Sequence, residues 1–136
     1  MLKYLSLSPK RKRRSRNVES EASHQRTFVA WLAITHPRIR ELTFSMANGG
    51  KRSKIEGYNL KLQGLSKGAP DLVVFYPSSG YHGFFIEFKF GKNKLTIEQE
   101  EKIKLLRAQN YKCQVCWSWE EAKTVFLEYL KNDNKI

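Results

Sequence analysis

Apolar residues recur along this chain in two periods, and the changes from one to the other predict its elements. Over residues 21–35, Phe28, Trp31 and Leu32 fall at i, i+3 and i+4, the stripe of an amphipathic helix. His36-Pro37 ends it, because the residue before a proline is pushed out of the helical region. Leu42-Thr43-Phe44-Ser45-Met46 reads as a short strand, and Asn48-Gly49-Gly50 follows as a loop whose glycines permit close backbone approach to a ligand. Residues 53–63 read as a second helix, stopped by Gly64. Two apolar runs come next, Leu72-Val73-Val74-Phe75-Tyr76 and residues 83–90, joined by a turn over 77–82. Thr96-Ile97-Glu98-Gln99 has capping-box spacing, with Thr96 as N-cap and Gln99 reaching back, and opens a helix that runs through Ile103 and Leu106 to a C-cap at Asn110. A strand over 112–117 and a Ser118-capped helix bearing Ala122, Val125, Phe126, Tyr129 and Leu130 on one stripe complete the pattern. Helix, strand, helix, two strands, helix, strand, helix predicts an α/β fold with a mixed central sheet flanked by helices.

The second apolar run carries the chemistry. Period 2 puts Phe84, Ile86, Phe88 and Phe90 on one face and Glu87 and Lys89 on the other, with their Cα atoms about 6–7 Å apart. Asp71, at the end of Gly68-Ala69-Pro70-Asp71, opens the neighbouring strand and so comes near Glu87. Two carboxylates and an ammonium in one compact place suit a phosphodiester, whose negative charge must be neutralised before water can attack. Hard carboxylate oxygens recruit Mg²⁺ or Mn²⁺, which keeps waters and accepts phosphate oxygens, while Lys89 can orient the attacking water or stabilise the pentacovalent phosphorus. The competing reading is a salt bridge of Glu87 with Lys89 on a solvated sheet face. Glu21, in the first turn of the first helix, is explained as readily by complementing the helix dipole.

Charge narrows the partner. The 136 residues carry a formal net charge of +12, with a pI near 9.9. Only a polyanion rewards so much Lys and Arg, and nucleic acid is the natural one. The run Lys10-Arg11-Lys12-Arg13-Arg14-Ser15-Arg16 precedes the first periodic segment and is expected to be disordered when free, a backbone-wrapping arm, a localisation signal or a solvated tail. Lys51, Arg52, Lys54, Lys61 and Lys67 thicken the charge around the loop and second helix, as phosphate contacts or a solvated basic face. The organisation expected is a basic arm at 1–19, one domain at 20–132 and a tail at 133–136. Residues 1–7 do not form a signal peptide and no run is long enough to cross a bilayer, so a soluble intracellular protein with reduced Cys113 and Cys116 is expected. The two cysteines fall on opposite faces of one strand, and with no second Cys or His pair they read as core rather than zinc or redox groups. His24, His36 and His82 lack metal-site spacing and read as surface or capping residues.

Together, Glu21-Ala22-Ser23-His24-Gln25, Asn48-Gly49-Gly50-Lys51-Arg52, Gly64-Leu65-Ser66-Lys67-Gly68-Ala69-Pro70-Asp71, Ile86-Glu87-Phe88-Lys89 and Leu95-Thr96-Ile97-Glu98-Gln99 resemble, in order, the VRR-NUC nucleases of the PD-(D/E)XK restriction-endonuclease-like superfamily. Ala69 stands where that family often has Val. The resemblance implies an αβββαβ core, with Asp71, Glu87 and Lys89 as the catalytic centre. It also implies Glu21 and the carbonyl of Phe88 as further metal ligands, and Gln99 touching substrate or the catalytic lysine. Candidate nucleic-acid contacts are Gln25, Lys51, Arg52, Lys67, Gln99 and Lys10, Arg11, Lys12, Arg13 and Arg14 of the arm. The activity implied is metal-dependent cleavage of branched DNA, four-way junctions or flaps, by a homodimer; paired cuts need two sites facing related strands. The alternative is a non-catalytic nucleic-acid-binding module on the same fold. Tyr58, Tyr76, Tyr81 and Trp119 are packing or turn residues, or stacking platforms for splayed bases.

Overall fold

The computed structural model describes residues 18–46 and 52–131. Helix α1, Glu21–Thr35, has the predicted bounds and starts from a capping box in which Ser20 and Ser23 satisfy each other's backbone groups. At Pro37 the chain does not simply leave helical structure. A proline is well placed in a helix's first turn, and a short helix α2, Pro37–Glu41, begins there and drops Ile39 into the core. Strand β1, Thr43–Ser45, helix α3, Lys54–Leu62, strands β2, Leu72–Val74, and β3, Phe84–Phe88, helix α4, Ile97–Ala108, strand β4, Lys112–Cys116, and helix α5, Trp119–Lys131, follow. Gly64, at φ +103°, stops α3 as expected. Past α4 the left-handed residue is Asn110, φ +64°, one position beyond the C-cap Gln109.

The sheet runs β1-β2-β3-β4, with antiparallel pairing except between β3 and β4. Alternation along β2 and β3 sends Leu72, Val74, Phe84, Ile86 and Phe88 to one face, where Phe28 and Leu32 of α1 and Ala122, Phe126 and Tyr129 of α5 close over them. Val73 and Phe85 face the other way, against Ile103 of α4 and Cys113. Both faces are covered, giving a three-layer α/β sandwich. Two sequence expectations change as a result. The face carrying Glu87 and Lys89 is not solvated, because α4 lies over it; the residues are 3% and 6% exposed. Strand β3 ends at Phe88, so Phe90 leaves the core stripe and meets the ring of His24, 6.0 Å away.

Candidate active site

The β2–β3 register assembles the centre. Leu72 pairs with Ile86, and one step outward the same register sets Asp71 across from Glu87. Residues opposed in an antiparallel pair share a face, so both carboxylates lie on the α4 side, beyond Val73 and Phe85. Asp71 Oδ2 accepts the Phe88 N–H at 2.7 Å, which ties the start of β2 to the end of β3. Lys89 Nζ stands 3.4 Å from Glu87 Oε1. The salt bridge anticipated as the alternative reading does form, but out of water. There the desolvation of both charges consumes most of the Coulombic gain, and a well-packed apolar pair would serve stability at least as well. Ion pairs that stability does not require point to a functional site.

The start of α4 supplies the next layer. Gln99 completes the expected capping box: its Oε1 accepts the Thr96 N–H at 2.9 Å while Thr96 Oγ1 accepts the Gln99 N–H. Its Nε2 donates to Glu87 Oε1 at 2.8 Å. One amide thus caps a helix and holds a carboxylate, an N–H donor on one side and an oxygen acceptor on the other leaving only one orientation of the group. The Gly68 loop makes this approach possible. A Cβ on Gly68, which has φ +86°, would lie 2.5 Å from the Glu98 carbonyl carbon and oxygen and 2.9 Å from the Gln99 nitrogen. Lys67 to Glu98, 3.1 Å, and Lys102 to Ser66, 2.6 Å, lash the same loop to α4.

Burial, then the neighbouring Asp71 charge, push the Glu87 carboxyl up to about 7, against the pull of Lys89. Burial also raises Asp71, partly offset by the Phe88 N–H, and Glu21 adds to the rise. Glu87 Oε2 is buried with no hydrogen-bond partner. Two desolvated carboxylates side by side, one with an orphaned oxygen, form a donor set suited to a hard divalent cation, which needs one or two carboxylates and fills its shell with water and phosphate oxygens. Among the described residues no three His, Cys, Asp or Glu side chains gather into a complete metal cage.

Glu21 reaches this neighbourhood from the first turn of α1 and acts on Asp71 through space, while its Oε1 accepts from Asn93 Nδ2 at 3.0 Å. Asn93 was not identified from sequence; a polar residue in a loop carries no spacing signal. Phe88 sits beside Asp71 through its N–H. Gln25 points to Ser45 Oγ at 3.5 Å, and Ser45 opposes Leu72, the neighbour of Asp71. Lys67 is exposed apart from its bridge to Glu98. Arg52 is partly buried just ahead of α3. Lys51, the Asn48-Gly49-Gly50 loop, the arm residues Lys10, Arg11, Lys12, Arg13 and Arg14 and the 133–136 tail lie outside the described residues. His24 is a capping residue of an unforeseen kind: buried, it accepts the Trp119 N–H through Nδ1 at 3.1 Å and so ties the start of α5 to α1. Tyr76, Tyr81 and Trp119 pack against the larger core cluster.

A cleft of about 540 Å³ opens from Asp71 towards α3, lined by Lys54, Tyr58, Lys61, Lys67, Gly68 and Gln99 among others. Sequence reading assigned the basic charge to this region but not the concavity, which depends on where α3 stands relative to α4.

No curated protein matches the chain. A solved structure described as a VRR_NUC domain protein superposes with a TM-score of 0.72 at 22% identity, covering 86% of this chain and 93% of its own. The mixed four-stranded sheet between helices is therefore a fold seen before. Residues 11–119 match the family model of the VRR-NUC domain, from within the basic run to the first residue of α5. With the ordered blocks of sequence and the sheet they build, this match establishes that the chain belongs to the VRR-NUC domain family and carries its nuclease-type fold.

Proposed function

We propose that the protein is a metal-dependent endonuclease that hydrolyses DNA phosphodiesters, prefers branched substrates such as four-way junctions or flaps, and works as a homodimer. The observation that carries the reading is the constellation of buried Glu87 and Lys89 with partly buried Asp71 beside them, and its orphaned Glu87 oxygen. Asp71 and Glu87 would hold Mg²⁺ or Mn²⁺, with Glu21 assisting. The Phe88 carbonyl would join them, since in an extended strand it faces the same edge as the N–H that meets Asp71. The ion supplies neutralisation of the phosphate, a bound water acidic enough to ionise near neutral pH, and charge for the leaving oxygen.

The remaining roles belong to side chains. Lys89, fixed beside Glu87, orients the attacking water and stabilises negative charge on the pentacovalent phosphorus. Gln99 holds Glu87 in place, and the Phe88 N–H does the same for Asp71. Water adds across the P–O bond and its proton leaves with the departing oxygen, so no covalent enzyme intermediate is needed. Gln25 and Lys67 stand near the centre where strand phosphates would pass, and Arg52, Lys51 and the Lys10–Arg14 run would add basic charge for the nucleic-acid backbone.

The test is cleavage of labelled four-way junction, 5′-flap, linear duplex and single-stranded DNA by wild type, Asp71→Ala and Lys89→Ala, with Mg²⁺, Mn²⁺ or EDTA. Metal-dependent cutting by wild type, reduced at least a thousandfold in both variants while helicity is kept, is the expected outcome. Binding without cutting on any substrate would make the protein a nucleic-acid-binding module instead.

A further inference from the structure

Helix α3 is out of keeping with the rest of the fold. It buries no residue, although Ile55, Tyr58 and Leu62 are 74%, 63% and 69% exposed. Helices that contribute to a core in this protein carry a covered stripe; α3 carries instead Lys54, Tyr58 and Lys61 at i, i+4 and i+7, one face of a helix. That face lines the cleft that ends at Asp71 and Gln99.

From this arrangement we infer that the cleft receives unpaired nucleotides of the strand being cut, with a base stacked on Tyr58 and its flanking phosphates on Lys54 and Lys61. The inference rests on the nuclease reading above and gives its substrate class: DNA that is single-stranded on the α3 side of the scissile phosphate. Size supports this. The cleft's volume of about 540 Å³ is on the scale of a small bound ligand, which suits a short single-stranded stretch better than a whole duplex. Composition supports it too. Cations along a groove follow a backbone of any sequence, and an exposed aromatic ring offers every base a stacking surface. Tyr58, 63% exposed on that lining, leaves its ring open to a ligand. A protein partner is a poorer occupant, because the ammonium groups at both ends of the Tyr58 face would be desolvated without anions to meet them.

The experiment uses the full chain in EDTA, with two DNAs of one sequence: a 5′-flap carrying 2-aminopurine at the first unpaired position, and the fully paired duplex with 2-aminopurine at the same position. Wild type quenches the flap probe and binds flap more tightly than duplex. Tyr58→Phe keeps both properties. Tyr58→Ala loses the quenching and binds the flap roughly tenfold to a hundredfold more weakly, with duplex binding unchanged. Lys61→Glu weakens flap binding and flattens its salt dependence by about one counter-ion. Equal quenching by Tyr58→Ala and wild type, or an equal loss on flap and duplex, would overturn the inference. The two readings fail separately: Tyr58-dependent quenching without cleavage in Mg²⁺ removes the nuclease alone, and cleavage indifferent to Tyr58 removes the stacking site alone.

Discussion

Glu87 is a carboxyl held where its charged form is disfavoured, and its chemistry fixes a pH dependence. Its folded value of about 7 lies above the ordinary 4.5, so between these values the folded chain binds a proton that the unfolded chain has released. The stabilisation is complete below 4.5 and is lost as pH rises through 7; the rise in Asp71 acts in the same direction. The metal-free protein should melt at lower temperature at pH 8 than at pH 5, by up to about 3 kcal/mol from Glu87 or on the order of 5–10 °C. Glu87→Gln should flatten that slope in a series of thermal melts; a variant that tracks wild type at every pH would rule the account out. Gly68 is a second residue with a sharp demand. Gly68→Ala places a Cβ against backbone that a side-chain shift cannot relieve, at a positive φ, and should cost about 1–3 kcal/mol in urea unfolding. The juxtaposition of Asp71, Glu87 and Lys89 was legible in sequence because strand alternation and neighbouring strands suffice to bring them together. Burial of that trio was not, since period 2 says which residues share a face and nothing about what lies over it.

At the scale of elements, α4 links stability to the site. The capping box alone explains why Gln99 follows Thr96 by three, and for that reason the sequence conceals its second bond to Glu87. Substitutions separate the roles. Gln99→Glu keeps an acceptor for the Thr96 N–H but turns a carboxylate towards Glu87, whereas Gln99→Ala removes that acceptor and the support of Glu87 together and leaves the Thr96 hydroxyl capping the helix. Cleavage should fall roughly tenfold or more in both, and only Gln99→Ala should lose the capping-box bond to the Thr96 N–H, about 0.5–1 kcal/mol. Cleavage rates measured beside thermal melts would show it, and full activity in Gln99→Glu would reduce Gln99 to a cap. Most element positions were readable because caps and breakers are local: Ser53, Gly64, Thr96 and Ser118 each mark an end where sequence places one, and Asn110 misses the C-cap of α4 by one residue. Helix α2 was not, because Pro37 both ends one helix and starts another, and five residues are too few to show a period.

At the scale of the molecule, the sheet is an insulating partition. Cys113 lies on its α4 side and Cys116 on its α1–α5 side, both buried, with burial pushing their thiols up to about 11 and 12. Three positions apart in sequence, they belong to separate compartments. Thiolate chemistry at either one requires its own layer to lift, since a closed layer offers a reagent neither access nor an ionised sulfur. Each cysteine is thus a clock for one side of the protein. The α4 cluster is the smaller among the described residues, so in pulse alkylation at pH 8, read by peptide mass spectrometry, Cys113 should label first; labelling of Cys116 first would mean that the α1–α5 layer opens more readily. Because α4 also carries Gln99, the Cys113 clock times the loosening of the site itself, and DNA or metal that locks the site should slow it while leaving Cys116 untouched.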